Sequence, residues 1–152
     1  MFMVRKNLIV AIVIGLVLLV TACGKLFYPA PSLILLDRVV GGLELVLIFF
    51  LLAYRHSKRM WGIAALVFAT WGGYAGFWAC VKLPCGCMGE LVHIPSGWSL
   101  AVDGVFVGAS LWLVGALKTP QRVLLWGSLP LAATGGVFMA QWVYRVVILA
   151  PP

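Results

Sequence analysis

This chain carries very little charge. Asp, Glu, Lys and Arg make up 10% of its 152 residues against 64% hydrophobic ones, a balance that excludes both an ordinary soluble domain and a disordered chain. The sequence also lacks a phosphate-cradling glycine loop, a paired-histidine zinc motif, a serine-nucleophile signature and a dinucleotide fingerprint. Hydrolase, kinase and dehydrogenase readings therefore find no support. Too few residues lie outside the apolar runs to build a soluble catalytic domain. The formal charge of +7 comes from basic residues dispersed between hydrophobic segments, which argues against nucleic acid as a partner.

What is present is a series of apolar stretches at 8–27, 36–54, 60–81, 98–117 and 123–143. Each reaches or approaches the ~20 residues that an α-helix needs to cross a bilayer. The expectation is an all-α integral membrane protein forming a single domain over 1–152, with the lipid bilayer as its surroundings. The second stretch is short unless Leu33 to Leu36 also enter the bilayer. The fifth is interrupted by Pro130 and by Gly135 and Gly136, breaks that membrane helices tolerate.

The basic residues encode an orientation. Arg5 and Lys6 precede the first stretch, Arg55, Lys58 and Arg59 follow the second, and Lys118 and Arg122 follow the fourth; Lys25, Arg38, Lys82 and Arg145 fall on the opposite side. The positive-inside rule then places the N-terminus and the 55–59 loop in the cytoplasm and the loop at 82–97 outside. That outer loop contains Pro84, Cys85, Gly86, Cys87, Met88 and Gly89, on the side of the membrane where oxidation is permitted.

Cysteines two positions apart sit near the limit of the Cα separation a disulfide tolerates, so closure makes a small strained ring that Gly86 must bend to allow. Strain makes such a bond more oxidising. Lys82, three residues before Cys85, favours its thiolate modestly. The residues alone leave three readings open: a redox pair, a structural turn, and a metal site completed by His93. Cys23 closes the first stretch and Cys80 the third, so all four cysteines fall on one side, and Cys23 with Cys80 could form a second communicating pair. Against that, membrane-embedded cysteines are often inert packing residues.

The start of the chain also reads as a bacterial lipoprotein signal, with Arg5 and Lys6, an apolar run, and Val20, Thr21 and Ala22 before Cys23. The continuation into further membrane segments argues against it. Glu44, inside the second stretch, is costly in a bilayer and requires a partner, which Arg38 or Lys25 could supply. It is either a proton-accepting or ligand-facing carboxylate or a paired group that fixes packing. Asp103 reads as an exposed helix-start carboxylate. Gly72 with Gly76, and Gly104 with Gly108, have the four-residue spacing of close helix contacts. Trp61, Trp78 and Trp98 read as half-wet interface anchors. No cofactor motif is present, although a quinone could stack on Trp71, Tyr74 or Trp78.

The run GLVLLVTACGKLFYP at 15–29, followed by VVGGLELVLIFFLLAY at 39–54 with its intramembrane Glu44, resembles the first two helices of the DoxX-like membrane proteins. The CGCMG loop at 85–89 is similar to the CGCFG signature of the MauE family of methylamine utilisation proteins, with Met88 where phenylalanine is usual. The resemblance covers about residues 8–117. It implies a DoxX-like four-helix transmembrane bundle in the bacterial inner membrane, here followed by a fifth C-terminal span. It also implies a role in maturing the disulfide-rich small subunit of methylamine dehydrogenase, beside a periplasmic thioredoxin-like partner. Carried over by position, Cys85 and Cys87 are the redox pair and Gly89 completes the turn.

The leading expectation is a membrane helper for disulfide formation in a periplasmic client protein, with Cys23 and Cys80 or a quinone resetting the loop. A non-enzymatic scaffold or chaperone, and a small transporter or metal-handling protein using Glu44, are the alternatives from other classes.

Overall fold

In the computed structural model, residues 2–31, 33–83, 95–115 and 119–147 are described. They form five helices: α1 (Phe2–Phe27), α2 (Ile34–Ala53), α3 (Lys58–Cys80), α4 (Ser96–Val114) and α5 (Thr119–Val147). Among the described residues there is no strand, so the all-α expectation holds. Four of the helices, α1, α3, α4 and α5, are long and apolar enough to cross a membrane, which makes the chain a multi-pass membrane protein.

The helix whose spanning character needs argument is α2, not α5. α5 runs unbroken for 29 residues through Pro130. Hydroxyls flank the proline: Ser128 Oγ donates to the Leu125 carbonyl at 2.9 Å and Thr134 Oγ1 to the Pro130 carbonyl at 2.7 Å. α2 is highly apolar but holds Asp37, Arg38 and Glu44 within twenty residues. Asp37 and Glu44 are buried, while Leu35, Val39, Leu43, Val46 and Phe49 point outward. Its outer surface is therefore largely apolar, with Arg38 exposed near its start.

The chain divides into two units. Among the described residues, the first comprises 2–64 and 109–115, and the second 65–83, 95–108 and 119–147.

In the first unit, Ala11, Ile14, Leu18, Ala22 and Lys25 recur at helical spacing along the buried face of α1. Asp37, Gly41, Glu44, Leu47 and Leu51 do the same on α2. Rising numbers on α1 meet falling numbers on α2: Gly15 faces Ile48, and Ala22 faces Gly41. The two helices are therefore antiparallel. Pro29 and Pro31 end α1, and the Asp37 carboxylate accepts the Ala30 N–H at 2.8 Å to close the turn. At the far end, the Arg55 carbonyl accepts both Trp61 Nε1–H at 2.8 Å and Asn7 Nδ2–H at 3.1 Å. Ser57 Oγ receives the Met60 N–H at 3.4 Å, capping α3.

In the second unit, α3 and α5 run in the same direction, since Thr70 lies at Gly136 and the later Phe77 and Trp78 lie against Tyr144. Their backbones touch where Gly73 meets the Ala133 carbonyl and Gly136 meets the Thr70 carbonyl. The glycine expectation is corrected here. Gly72 and Gly76 receive only ordinary contact from Leu100 and Asp103 of α4, and Gly104 and Gly108 have nothing within 4 Å of an added Cβ. Phe68 and Phe106 join α3 to α4 edge to face at 5.0 Å. In lipid, where tails are as apolar as leucine, such close packing and polar contacts replace the hydrophobic effect as the source of cohesion.

The end of α3 has its own geometry. The Leu83 N–H returns to the Trp78 carbonyl at 3.1 Å and the Lys82 N–H to the Ala79 carbonyl at 3.2 Å. This is the Schellman pattern, with Lys82 at φ 57° in the left-handed position that glycine usually fills.

Candidate functional site

Deep in the first unit, Lys25 Nζ donates to Glu44 Oε1. Thr21 Oγ1 lies 2.9 Å from Glu44 Oε2 and 2.9 Å from the Leu18 carbonyl. The hydroxyl has one proton, and the carboxylate is the stronger acceptor. Lys25 is 6% exposed and Glu44 2% exposed, so the pair is held away from both water and lipid. Gly41, one turn before Glu44, makes this possible. A methyl group there would lie 3.1 Å from the Ala22 carbonyl oxygen and 3.3 Å from Lys25 Cβ. Without a side chain at 41, α2 comes close enough for the short Glu44 carboxylate to reach both donors.

Of the two cations considered for Glu44, Lys25 is the partner and Arg38 is exposed. The sequence reading missed Thr21 as a partner of Glu44 and Asp37 as a second buried carboxylate on the same helix. The signal was available: Thr21 and Lys25 are four apart on one helix face, and Asp37 and Glu44 are seven apart on another. Paired in this way, Glu44 locks the register of α1 against α2. A proton-accepting role would require it to leave Lys25.

The described thiols sit at helix ends. Cys23 is half-buried in α1, between Thr21 and Lys25, and Cys80 is exposed as the last residue of α3; both are free. Cys23 belongs to the first unit and Cys80 to the second. Cys85, Cys87, Met88, Gly89 and His93 lie outside the described residues. Among the described residues no group of three His, Cys, Asp or Glu side chains is placed to hold a metal. Lys82 follows Cys80 by two residues, and its left-handed backbone costs roughly 1 kcal/mol that glycine would not incur.

The aromatic residues considered for a quinone pack on one another. Trp71 meets Phe68 edge-on at 5.6 Å, Tyr74 lies 6.1 Å from Trp78, and Trp78 also meets Phe77 and Tyr144. Trp78 Nε1 is buried without an acceptor. Two anchor expectations are corrected. Trp61 and Trp78 are buried, the first because its indole N–H is used inside the fold, and of these three Trp98 alone is exposed. Asp103 is also not at a helix start: it lies two turns into α4, half-buried, with its Cβ toward Gly72 of α3.

Compared with known proteins, the chain matches no known family, no curated protein and no solved structure. Fold and site thus define a class, an all-α multi-pass membrane protein with an ion pair buried between its first two helices.

Proposed function

We propose that this protein is a helper of the bacterial inner membrane that exchanges disulfides with a periplasmic client, resembling the MauE family in its cysteine loop. In this reading all five helices span. The neutralised Lys25–Glu44 pair removes the main obstacle to α2, and apart from Arg38 near its start the helix turns apolar side chains outward. Lys25, committed to Glu44, no longer counts as an outer-side anchor. The basic excess near Arg55, Lys58 and Arg59 then dominates, which supports an N-terminus in the cytoplasm and a CGCMG loop outside.

The observation that carries the reading is Lys82. A strained lysine where glycine would serve better invites a functional reason. Here it keeps a cation three residues before Cys85 in the sequence, where it favours that thiolate. In the exchange, a client thiolate attacks one sulfur of the Cys85–Cys87 bond, forming a mixed disulfide and releasing the other sulfur as a thiolate. The client's second thiolate then displaces the loop sulfur. The client leaves oxidised and the loop reduced by two electrons, which pass to a Cys23–Cys80 disulfide or to a membrane quinone.

Two measurements test this. In intact cells, Cys85 and Cys87 should react with a membrane-impermeant alkylating reagent only after reduction. A Cys87→Ser variant should accumulate a mixed disulfide with its client. Free labelling without reduction, with no trapped client, would transfer the case to a scaffold. In the purified protein, Lys82→Gly should relax the α3 cap and raise stability by roughly 0.5–1 kcal/mol, while slowing alkylation of the reduced loop about threefold. Unchanged alkylation would reduce Lys82 to a helix-end residue with no part in the chemistry.

A further inference from the structure

The four carboxylate side chains of the sequence are Asp37, Glu44, Glu90 and Asp103, so none occurs between positions 45 and 89. Within that interval the α2–α3 turn gathers Arg55, Lys58 and Arg59 in five residues. The turn is built firmly. The Arg55 carbonyl is pinned by the buried Trp61 indole and by Asn7 of α1, Ser57 N–H returns to the Tyr54 carbonyl at 2.8 Å, and Ser57 Oγ caps α3.

Its cation is only half used. Arg55 Nη1 donates to the Leu52 carbonyl at 2.8 Å on the exposed side, at the end of α2 where a positive charge is favoured. Arg55 Nε is buried and, among the described residues, has no acceptor. A charged donor left without an acceptor beneath the surface calls for a group that the described residues do not supply. The available edge of a guanidinium is a two-pronged fork, which matches phosphate oxygens better than any neutral acceptor. The position in the chain fits as well: the turn joins the apolar α2 to α3, which is long and apolar enough to cross a membrane, and exposed Tyr54 stands beside it, a residue type favoured at headgroup level.

We propose that the α2–α3 turn binds the phosphate of an anionic phospholipid, with Arg55 as the fork and Lys58 and Arg59 beside it. A small turn of the guanidinium away from Leu52 brings Nε–H and an Nη–H together onto two phosphate oxygens. The site fixes the start of α3 to one leaflet through the headgroup. It stands apart from thiol chemistry, so the failure of either proposal leaves the other untouched.

The test is native mass spectrometry of the full chain in detergent, with phosphatidylglycerol, phosphatidylcholine and inorganic phosphate as separate probes. Phosphatidylglycerol should be retained about tenfold more tightly than phosphatidylcholine, and Arg55→Gln should remove roughly that tenfold preference. Arg38→Gln, at the opposite end of α2, should leave it unchanged. Arg55→Lys, which keeps the charge without the fork, should lose about threefold and serves if the glutamine variant fails to fold. Equal retention of the two lipids, or no loss in both Arg55 variants, overturns the site. Arg55-dependent binding of inorganic phosphate that displaces phosphatidylglycerol at equal concentration overturns the lipid assignment in favour of a free phosphate.

Discussion

A Lys25→Ala variant is expected to lose about 3–5 kcal/mol of stability, the cost of stranding a buried charge whose partner has been removed. Glu44 would keep only the Thr21 hydroxyl, at 2.9 Å, in a site that is 2% exposed. The reciprocal variant should suffer less. Lys25 lies two residues from the end of α1 and has a long stem, so without Glu44 its ammonium can swing out toward the membrane surface. Glu44 lies ten residues into α2, roughly 15 Å along the axis, on a short stem that cannot. The expected order of destabilisation is therefore Lys25→Ala, then Glu44→Ala at about 1–3 kcal/mol, then the double variant Lys25→Met with Glu44→Leu near wild type. Unfolding in bicelles measures all three. Equal losses in the two single variants would show that lysine does not escape. A double variant as weak as either single one would show that the pair does more than cancel charge, and would return Glu44 to the proton-accepting reading.

How far the sequence announced this arrangement differs from element to element. Apolar run length located every helix, because in a bilayer length and hydropathy are the dominant constraints. Two helices nevertheless extend well past their runs: α1 begins at Phe2 rather than at 8, and α5 ends at Val147 rather than at 143. Polar residues at the boundary satisfy their backbone groups by remaining helical. The need for a Glu44 partner was legible, since an unpaired intramembrane carboxylate is costly. The choice of Lys25 over Arg38 was not, because it depends on Gly41 letting α2 approach α1. Similarly, the buried Trp61 was hidden by its own chemistry. An indole next to a basic loop looks like an interface anchor until the Arg55 carbonyl is seen to claim its N–H. The glycines were misjudged because four-residue spacing identifies a face only when the partner helix is known.

Gly73→Ala and Gly136→Ala supply the second large expected effect, about 2–3 kcal/mol each. At both positions the added methyl group would overlap backbone atoms of the opposing helix, the carbonyl of Ala133 for one and of Thr70 for the other. A side chain in the way could rotate; a carbonyl within a hydrogen-bonded helix cannot, so the helices themselves must part. Parting them also loosens the Phe77 and Trp78 contacts with Tyr144, at 5.9 and 6.0 Å, because dispersion falls steeply with separation. Gly104→Ala and Gly108→Ala are the matched controls. Nothing lies within 4 Å of either added Cβ, and alanine's better helix propensity should leave stability unchanged or raise it by up to about 1 kcal/mol. Unfolding of the four variants side by side decides the matter. Four equal losses would mean that glycine is needed for backbone freedom throughout. A loss confined to 73 and 136 would locate the tight crossing two turns below Cys80, so that the position of this thiol against α5 depends on two glycines far from any redox group.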